Sequence, residues 1–294
     1  MESASNKRGS PTASKSFIAG CNQEYKAMCY ESMEDHVGRM LKEYRSEMSP
    51  VGVAVKRAYA SYVEELMRLS GKGEGYGVSG LDKIVKCDPV ELVIALHDVG
   101  KCTQRYQESL REKCTAPNHE VVSAAYLYTL SLSIDKQWGP LTTIPHMLSI
   151  LLHHHSMRSL KEVLGRITFI EISEDDEKHV NECALIALEA LRGTCPGLVN
   201  SVPKSRLPRS LQYGVNMLKH VVGLVDRVEE IAVPAYGVAV RITGVLSILD
   251  RYSASINRSC GRLTEEDLER DVAEYLKRRR AISEARKILE SLGI

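Results

Sequence analysis

The sequence of 294 residues lacks the long apolar segment that an integral membrane protein needs. No apolar run approaches the roughly 18–20 residues that cross a bilayer. The longest candidate, Ile144–Leu152, is interrupted by His146 and Ser149. The first 16 residues are polar and have no apolar stretch of the kind that a signal peptide carries. These absences predict a soluble protein without a membrane partner.

The sequence is also poor in cysteine. Its eight cysteines form no C-x-x-C pair, which argues against a structural zinc ribbon. Eight cysteines in a chain of this length are too sparse for a small disulfide-stapled scaffold. We therefore expect reduced thiols and a cytoplasmic location.

Excess charge of one sign is absent too. The 39 lysine and arginine residues balance 38 aspartate and glutamate residues, leaving a net charge of +1. The glycine-rich segment 70–80 lacks the Gly-Lys-Ser/Thr ending of a phosphate-binding loop. A site for a phosphate-bearing ligand must therefore come from local clusters of side chains or from bound metal.

The hydrophobic pattern is helical along most of the chain. Apolar residues recur at helical spacing, and capping residues and prolines predict helices over Pro89–Val99, Pro145–His155 and Tyr236–Asn257. We expect residues 1–16 to form a disordered tail and residues 264–294 to form a C-terminal helix. The prediction is one mostly α domain over residues 17–294, with few or no strands.

Histidines and carboxylates concentrate where this pattern predicts core helices. His97 and Asp98 follow the apolar segment after Pro89, and a buried, uncompensated carboxylate costs several kcal/mol unless a cation accompanies it. In the run 153–155, the apolar stripe of the preceding helix continues onto His154 and His155. His153 follows His146 and Ser149 on a more polar side, so we expect it to point outward. The run of three histidines still leaves open whether His153 replaces His154 or His155 in the pair.

A carboxylate in the last predicted core helix completes the set of candidate metal ligands. Asp250 shares a predicted helical face with Leu246 and Leu249, where a carboxylate favours a cation. Asp226 is the rival position, and we prefer Asp250. His36 and His119, each taken alone, are ordinary core or capping histidines.

The order of these residues resembles the HD-domain metal-dependent phosphohydrolases and, among them, the CRISPR-associated HD nucleases. The motif consists of His36, His97-Asp98 with Gly100-Lys101, His119, the pair His154-His155, and Asp250. The resemblance implies a helical HD-domain fold and two divalent ions, with Mn, Ni or Co favoured and Mg, Fe or Zn open. Asp98 and Lys101 are the candidate catalytic residues. Lys101, one helical turn beyond His97, is placed to donate to a phosphate oxygen, and a role as a cation at the helix C-terminus stays open. The implied metal ligands are His36, His97, Asp98, His119, His154, His155 and Asp250.

The resemblance also implies partners. It points to cleavage of single-stranded DNA in type I CRISPR interference, an antiviral defence, together with a separate helicase subunit and a crRNA-guided surveillance complex. No helicase signature is present, which favours a stand-alone nuclease of the kind found most often in archaea. Two alternatives stay open. One is an HD-superfamily phosphohydrolase of nucleotides or small phosphate esters, and the other is a catalytically silent interaction subunit that keeps a metal site for stability.

Overall fold

The computed structural model describes residues 17–21, 30–69, 82–136, 139–154, 165, 167, 170–204, 207, 209–225 and 227–257. The expected tail 1–16 and C-terminal helix 264–294 lie outside the described residues. His155 and Asp226 lie outside them as well.

The described chain is predominantly helical, which confirms the predicted mostly α class. A small antiparallel hairpin of β1 (Ile18–Cys21) and β2 (Tyr30–Ser32) comes first. A π-helical turn, Tyr44–Met48, joins the first two helices, and a 3-10 turn, Val99–Cys102, follows the fourth. The α-helices are α1 (Met33–Glu43), α2 (Ser49–Leu69), α3 (Asp82–Val85), α4 (Pro89–Leu96), α5 (Gln104–Lys113), α6 (His119–Ile134), α7 (Gly139–Thr142), α8 (Ile144–Leu152), α9 (Glu174–Glu189), α10 (Pro196–Val199), α11 (Leu211–Val225) and α12 (Glu229–Asn257).

Helix α4 is the centre of the core. Asp88 caps its N-terminus by accepting hydrogen bonds from the backbone N–H groups of Val90 and Glu91, and Pro89 occupies the first turn. Every residue of α4 is buried, because α1, α2, α6, α8, α9 and α12 all pack against it. The helix ends at Leu96, earlier than the predicted Val99, and therefore delivers His97 and Asp98 into the interior.

A tight turn after α4 depends on glycine. A Cβ added at Gly100 would collide with the carbonyl oxygen of His119 and with the side chain of Val122. The Gly100 N–H also donates to the Ser123 hydroxyl at 2.8 Å. The 3-10 turn is thereby packed directly against the start of α6, which brings His119 close to Asp98.

The long helix α12 corrects two expectations. It begins at Glu229 and continues through Pro234, whereas the pattern predicted a start at Tyr236. Over Glu229–Ala254 it is long and apolar enough to cross a membrane by length and composition, so Ile144–Leu152 is not the longest apolar segment. Core helices pass the same test, and α12 packs against α1, α2, α4 and α8.

Among the described residues, the cysteines are paired, whereas the sequence had led us to expect reduced thiols. The six described cysteines form three disulfides, with Cα–Cα distances of 5.6, 5.1 and 6.3 Å, within the usual range for a disulfide. The partners lie 81 to 108 residues apart, so helix packing brings them together and sequence spacing cannot reveal them. The pairs are Cys21–Cys114, Cys87–Cys195 and Cys102–Cys183.

Helix α8 is buried on nearly every side, polar residues included. The Ser149 hydroxyl donates to the carbonyl of Ala239 on α12, and the His146 ring packs edge-on against Tyr59 with ring centroids 4.8 Å apart. Burial lowers the pKa of His146 from 6.5 to about 3, and the backbone of Thr142 offsets only part of this effect. His146 is therefore neutral in the folded protein.

The neutral His146 predicts a defined acid sensitivity. Below pH 6.5 the unfolded chain binds a proton at this position and the folded chain does not, so the free energy of unfolding falls by about 1.4 kcal/mol for each pH unit. Between pH 7 and pH 5, His146→Phe should therefore lose about 2 kcal/mol less stability than the wild type. Urea unfolding at both pH values measures the difference.

The exposed His220 on α11 provides the control, because His220→Gln should retain the pH dependence of the wild type. An unchanged pH dependence in His146→Phe would contradict the account of His146.

Candidate metal centre

Two groups of potential metal ligands meet at one carboxylate. The first group contains His36, His97, Asp98 and Asp250, and the second contains His119, His153 and His154. Within each group, the ligand atoms lie within 4.8 Å of one another. Five different segments of the fold supply these residues, so the site depends on tertiary packing rather than on one local motif.

Asp98 connects the two groups through its two oxygens. Its Oδ1 lies 3.0 Å from His119 Nε2 in the second group. Its Oδ2 lies 3.4 Å from the Nε2 atoms of both His36 and His97 in the first group, and 2.6 Å from Lys101 Nζ. The Asp98 side chain is 1% exposed, so this contact occurs in the protein interior.

The electrostatics of the centre favour positive charge. Burial alone would raise the pKa of Asp98. The surrounding imidazoles, His97 first among them, and the Lys101 ammonium bring that pKa well below its usual value. Burial opposes a proton on His36, yet Asp98 and Glu31 together raise the pKa of His36 to about 9. Without a bound cation, the carboxylates therefore hold a proton on His36.

His97, His153 and His154 favour the neutral form, which is the form that binds metal. Burial lowers the pKa of His97 and His153, and burial with the neighbouring His119 lowers the pKa of His154 to about 4.

Hydrogen bonds at Nδ1 fix the orientation of the imidazoles. The Nδ1 atoms of His97, His119 and His153 each face the backbone carbonyl oxygen three residues earlier. A carbonyl oxygen can only accept, so Nδ1 carries the hydrogen and Nε2 presents a lone pair.

The Nε2 atoms converge on positions that suit a cation. His36 Nε2 and His97 Nε2 face each other at 3.5 Å, and His119 Nε2 and His154 Nε2 do so at 3.4 Å. His153 Nε2 is buried and makes no hydrogen bond with any described residue. A divalent ion in each group would satisfy these nitrogens and offset the buried carboxylate charge, so the residues present fit two metal ions.

His153 corrects the orientation inferred from the sequence. It is 6% exposed and lies in the second group, although the pattern predicted an outward direction. The inference failed because His146 and Ser149 do not mark a solvent-facing side of α8; both are fully buried. His154 lies in the same group, as predicted, and the predicted ligand His155 lies outside the described residues.

The other predicted residues come together around Asp98. Asp250 reaches the first group from α12, with its Oδ1 3.5 Å from His36 Nε2 and its side chain 24% exposed. Lys101, from the 3-10 turn, is buried against Asp98. That these residues bind metal or act in catalysis stays a prediction.

Two residues that contact this centre were not predicted from the sequence to do so. One is His153, and the other is the buried Glu31, whose carboxylate lies 3.0 Å from His36 Nδ1. A weak signal for Glu31 exists, because it precedes the Ser32 cap of the helix that carries His36.

The fold and site define a helical protein with a candidate two-ion centre of histidine and aspartate. No family model matches the chain. Two curated proteins named CRISPR-associated endonuclease Cas3-HD are similar to it, each with 28% identity. The match to the Pyrococcus furiosus protein covers 58% of this chain and 66% of the relative, and the match to the Methanocaldococcus jannaschii protein covers 54% and 57%. The chain thus spans less than two thirds of either relative.

A solved structure of a CRISPR-associated Cas3 HD domain protein from Methanocaldococcus jannaschii aligns with a TM-score of 0.44 and 19% identity. The alignment covers 75% of this chain and 95% of that protein. The sequence matches confirm the predicted resemblance to CRISPR-associated HD nucleases.

The position of His153 generates a prediction about metal stoichiometry. We expect the wild-type protein to bind two Mn²⁺ ions and His153→Ala to bind one, because the second group would lose a buried nitrogen that makes no hydrogen bond within the described part of the chain. Isothermal titration of metal-stripped protein with Mn²⁺ measures both values.

His179, half-buried against Phe17, provides the control, and His179→Ala should bind two ions. His155→Ala tests the ligand expected from the sequence. Two ions of unchanged affinity in His153→Ala, with one lost in His155→Ala, would refute the assignment of His153.

Proposed function

We propose that this chain is a metal-dependent nuclease that hydrolyses phosphodiester bonds of single-stranded DNA in type I CRISPR interference. The observation that carries the proposal is Asp98, a buried carboxylate whose two oxygens face two separate groups of histidines. The similarity to proteins named CRISPR-associated endonuclease supports the choice of nuclease over other phosphohydrolases.

The ligand sets follow from the two groups. His36, His97, Asp98 and Asp250 would hold one ion, and Asp98, His119, His153 and His154 would hold the other. Mixed imidazole and carboxylate donors favour Mn, Fe, Co, Ni or Zn over Mg. The resemblance to CRISPR-associated HD nucleases favours Mn, Ni or Co among these metals. Two such ions would lower the pKa of a bound water towards neutrality and would stabilise the charge that develops on a scissile phosphate.

The protein's own residues orient the reaction. Lys101 places its ammonium group 2.6 Å from Asp98 Oδ2, where it adds positive charge beside the position of a phosphate. Asp250 and His154 are the partly exposed members of the two groups, so substrate would approach from their side. Helix α4 and the Gly100 turn hold Asp98 rigidly between the histidines, as two-ion hydrolysis requires.

The partners in this proposal are single-stranded DNA, a separate helicase subunit and a crRNA-guided surveillance complex in the cytoplasm. The names of the relatives support the CRISPR context.

Asp98→Asn tests the proposal because it preserves side-chain size and removes the bridging charge. We expect labelled single-stranded DNA to be cut by the wild-type protein with Mn²⁺, Ni²⁺ or Co²⁺ and left intact with EDTA. Loss of several kcal/mol of transition-state stabilisation should slow Asp98→Asn by about a thousandfold or more. Denaturing gel electrophoresis measures cleavage.

Asp175→Asn, at an exposed carboxylate in the first turn of α9, is the matched control and should cut like the wild type. A small phosphodiester, bis(p-nitrophenyl) phosphate, serves as a parallel substrate. Hydrolysis of the ester without cleavage of DNA would instead indicate a phosphohydrolase of small esters. No turnover of either substrate, despite bound metal, would indicate the catalytically silent subunit.

A further inference from the structure

Glu31 is a buried carboxylate that belongs to neither ligand group. It lies in β2, immediately before the Ser32 cap of α1, and is 3% exposed. Its Oε1 lies 3.0 Å from Nδ1 of His36, on the side of the imidazole that faces away from Asp98. A carboxylate can only accept in this contact, so Nδ1 carries the hydrogen and Nε2 is directed at Asp98.

This arrangement sets His36 apart from the other histidines with assigned Nδ1 partners. His97, His119 and His153 are oriented by neutral backbone carbonyls three residues earlier in the chain. His36 is oriented by a charged side chain. A carboxylate behind a metal-binding imidazole fixes the ring and increases the electron density at the opposite nitrogen, which strengthens the bond to a metal.

Further contacts brace Glu31 in this position. Ser253 donates from its hydroxyl to Glu31 Oε1 at 3.2 Å, and the same hydroxyl lies 3.3 Å from His36 Nδ1. The Arg39 guanidinium lies 3.4 Å from Oε1. Ser253 is three residues beyond Asp250 on α12. Glu31, in β2, therefore contacts both α1 and α12 next to the first group.

We infer that Glu31 is a positioning residue that orients His36 and strengthens metal binding in the first group, with Ser253 holding the Glu31 carboxylate in place. This inference rests on the proposed metal centre. It predicts an asymmetry between the two sites. Glu31 lies within hydrogen-bond distance of His36 Nδ1, whereas in the second group Glu120 lies 3.6 Å from His119 Nδ1, which faces the carbonyl of Ala116 instead.

Metal affinity, measured without reference to nuclease activity, tests the inference. We propose to titrate metal-stripped proteins with Co²⁺ in competition with a chelator, at several pH values between 7 and 9. The proteins are the wild type, Glu31→Ala, Glu31→Gln and Ser253→Ala. The range of pH separates proton competition from intrinsic affinity. Glu31→Ala should weaken one of the two binding steps by about 10- to 100-fold and leave the other unchanged. Glu31→Gln keeps an acceptor for Nδ1 and should lose less, and Ser253→Ala should lose only several-fold.

Glu34→Ala, at an exposed carboxylate of α1, is the matched control and should bind both ions like the wild type. Thermal unfolding of the metal-free variants identifies any that fail to fold, and Glu31→Gln and Ser253→Ala then decide the question. Wild-type affinity in all folded variants would overturn the role of Glu31. Failure of the wild type to bind Co²⁺ would instead overturn the proposed metal centre.

Discussion

The burial of Asp98 is the constraint on which the rest of the structure depends. A carboxylate at 1% exposure is costly unless positive charge surrounds it. The protein meets this requirement with the Lys101 ammonium and with the proton that Asp98 and Glu31 hold on His36. Removing water from the carboxylate also strengthens its interaction with any cation, because the local dielectric is low. Burial therefore raises the free-energy cost of the Asp98 charge and, at the same time, strengthens the attraction of each Asp98 oxygen for a cation at the two candidate metal positions.

The fold can be understood as the scaffold that holds this carboxylate. Helix α4 is surrounded by other helices and ends just before His97, so its C-terminus lies in the interior. Glycine at position 100 lets the following turn pack against α6, which brings His119 to Asp98. Helices α1 and α12 supply His36 and Asp250 from the opposite side. Each ligand thus depends on packing between helices that are distant in sequence.

The sequence predicts the helical class and most of the residues that meet around Asp98. This is possible because His36, His97-Asp98, His119 and Asp250 follow one another along the chain in a recognisable order. It misplaces His153, since a polar residue on a helix predicts a solvent-facing side only when that helix has one. The cysteine pairs and the position of Glu31 are harder to predict from the sequence than the orientation of His153. Their partners are set by which segments pack together, and no local spacing records that information. The contact of the Glu31 carboxylate with His36 can be recognised only from the packing of β2, α1 and α12 against one another.

The central claim is that Asp98 bridges two metal ions. The most direct measurement is a crystal structure of the protein soaked in Mn²⁺, with anomalous scattering used to locate the ions. We expect two anomalous peaks about 3.5–4 Å apart, one against each oxygen of Asp98. A single peak, or peaks that do not contact Asp98, would contradict it.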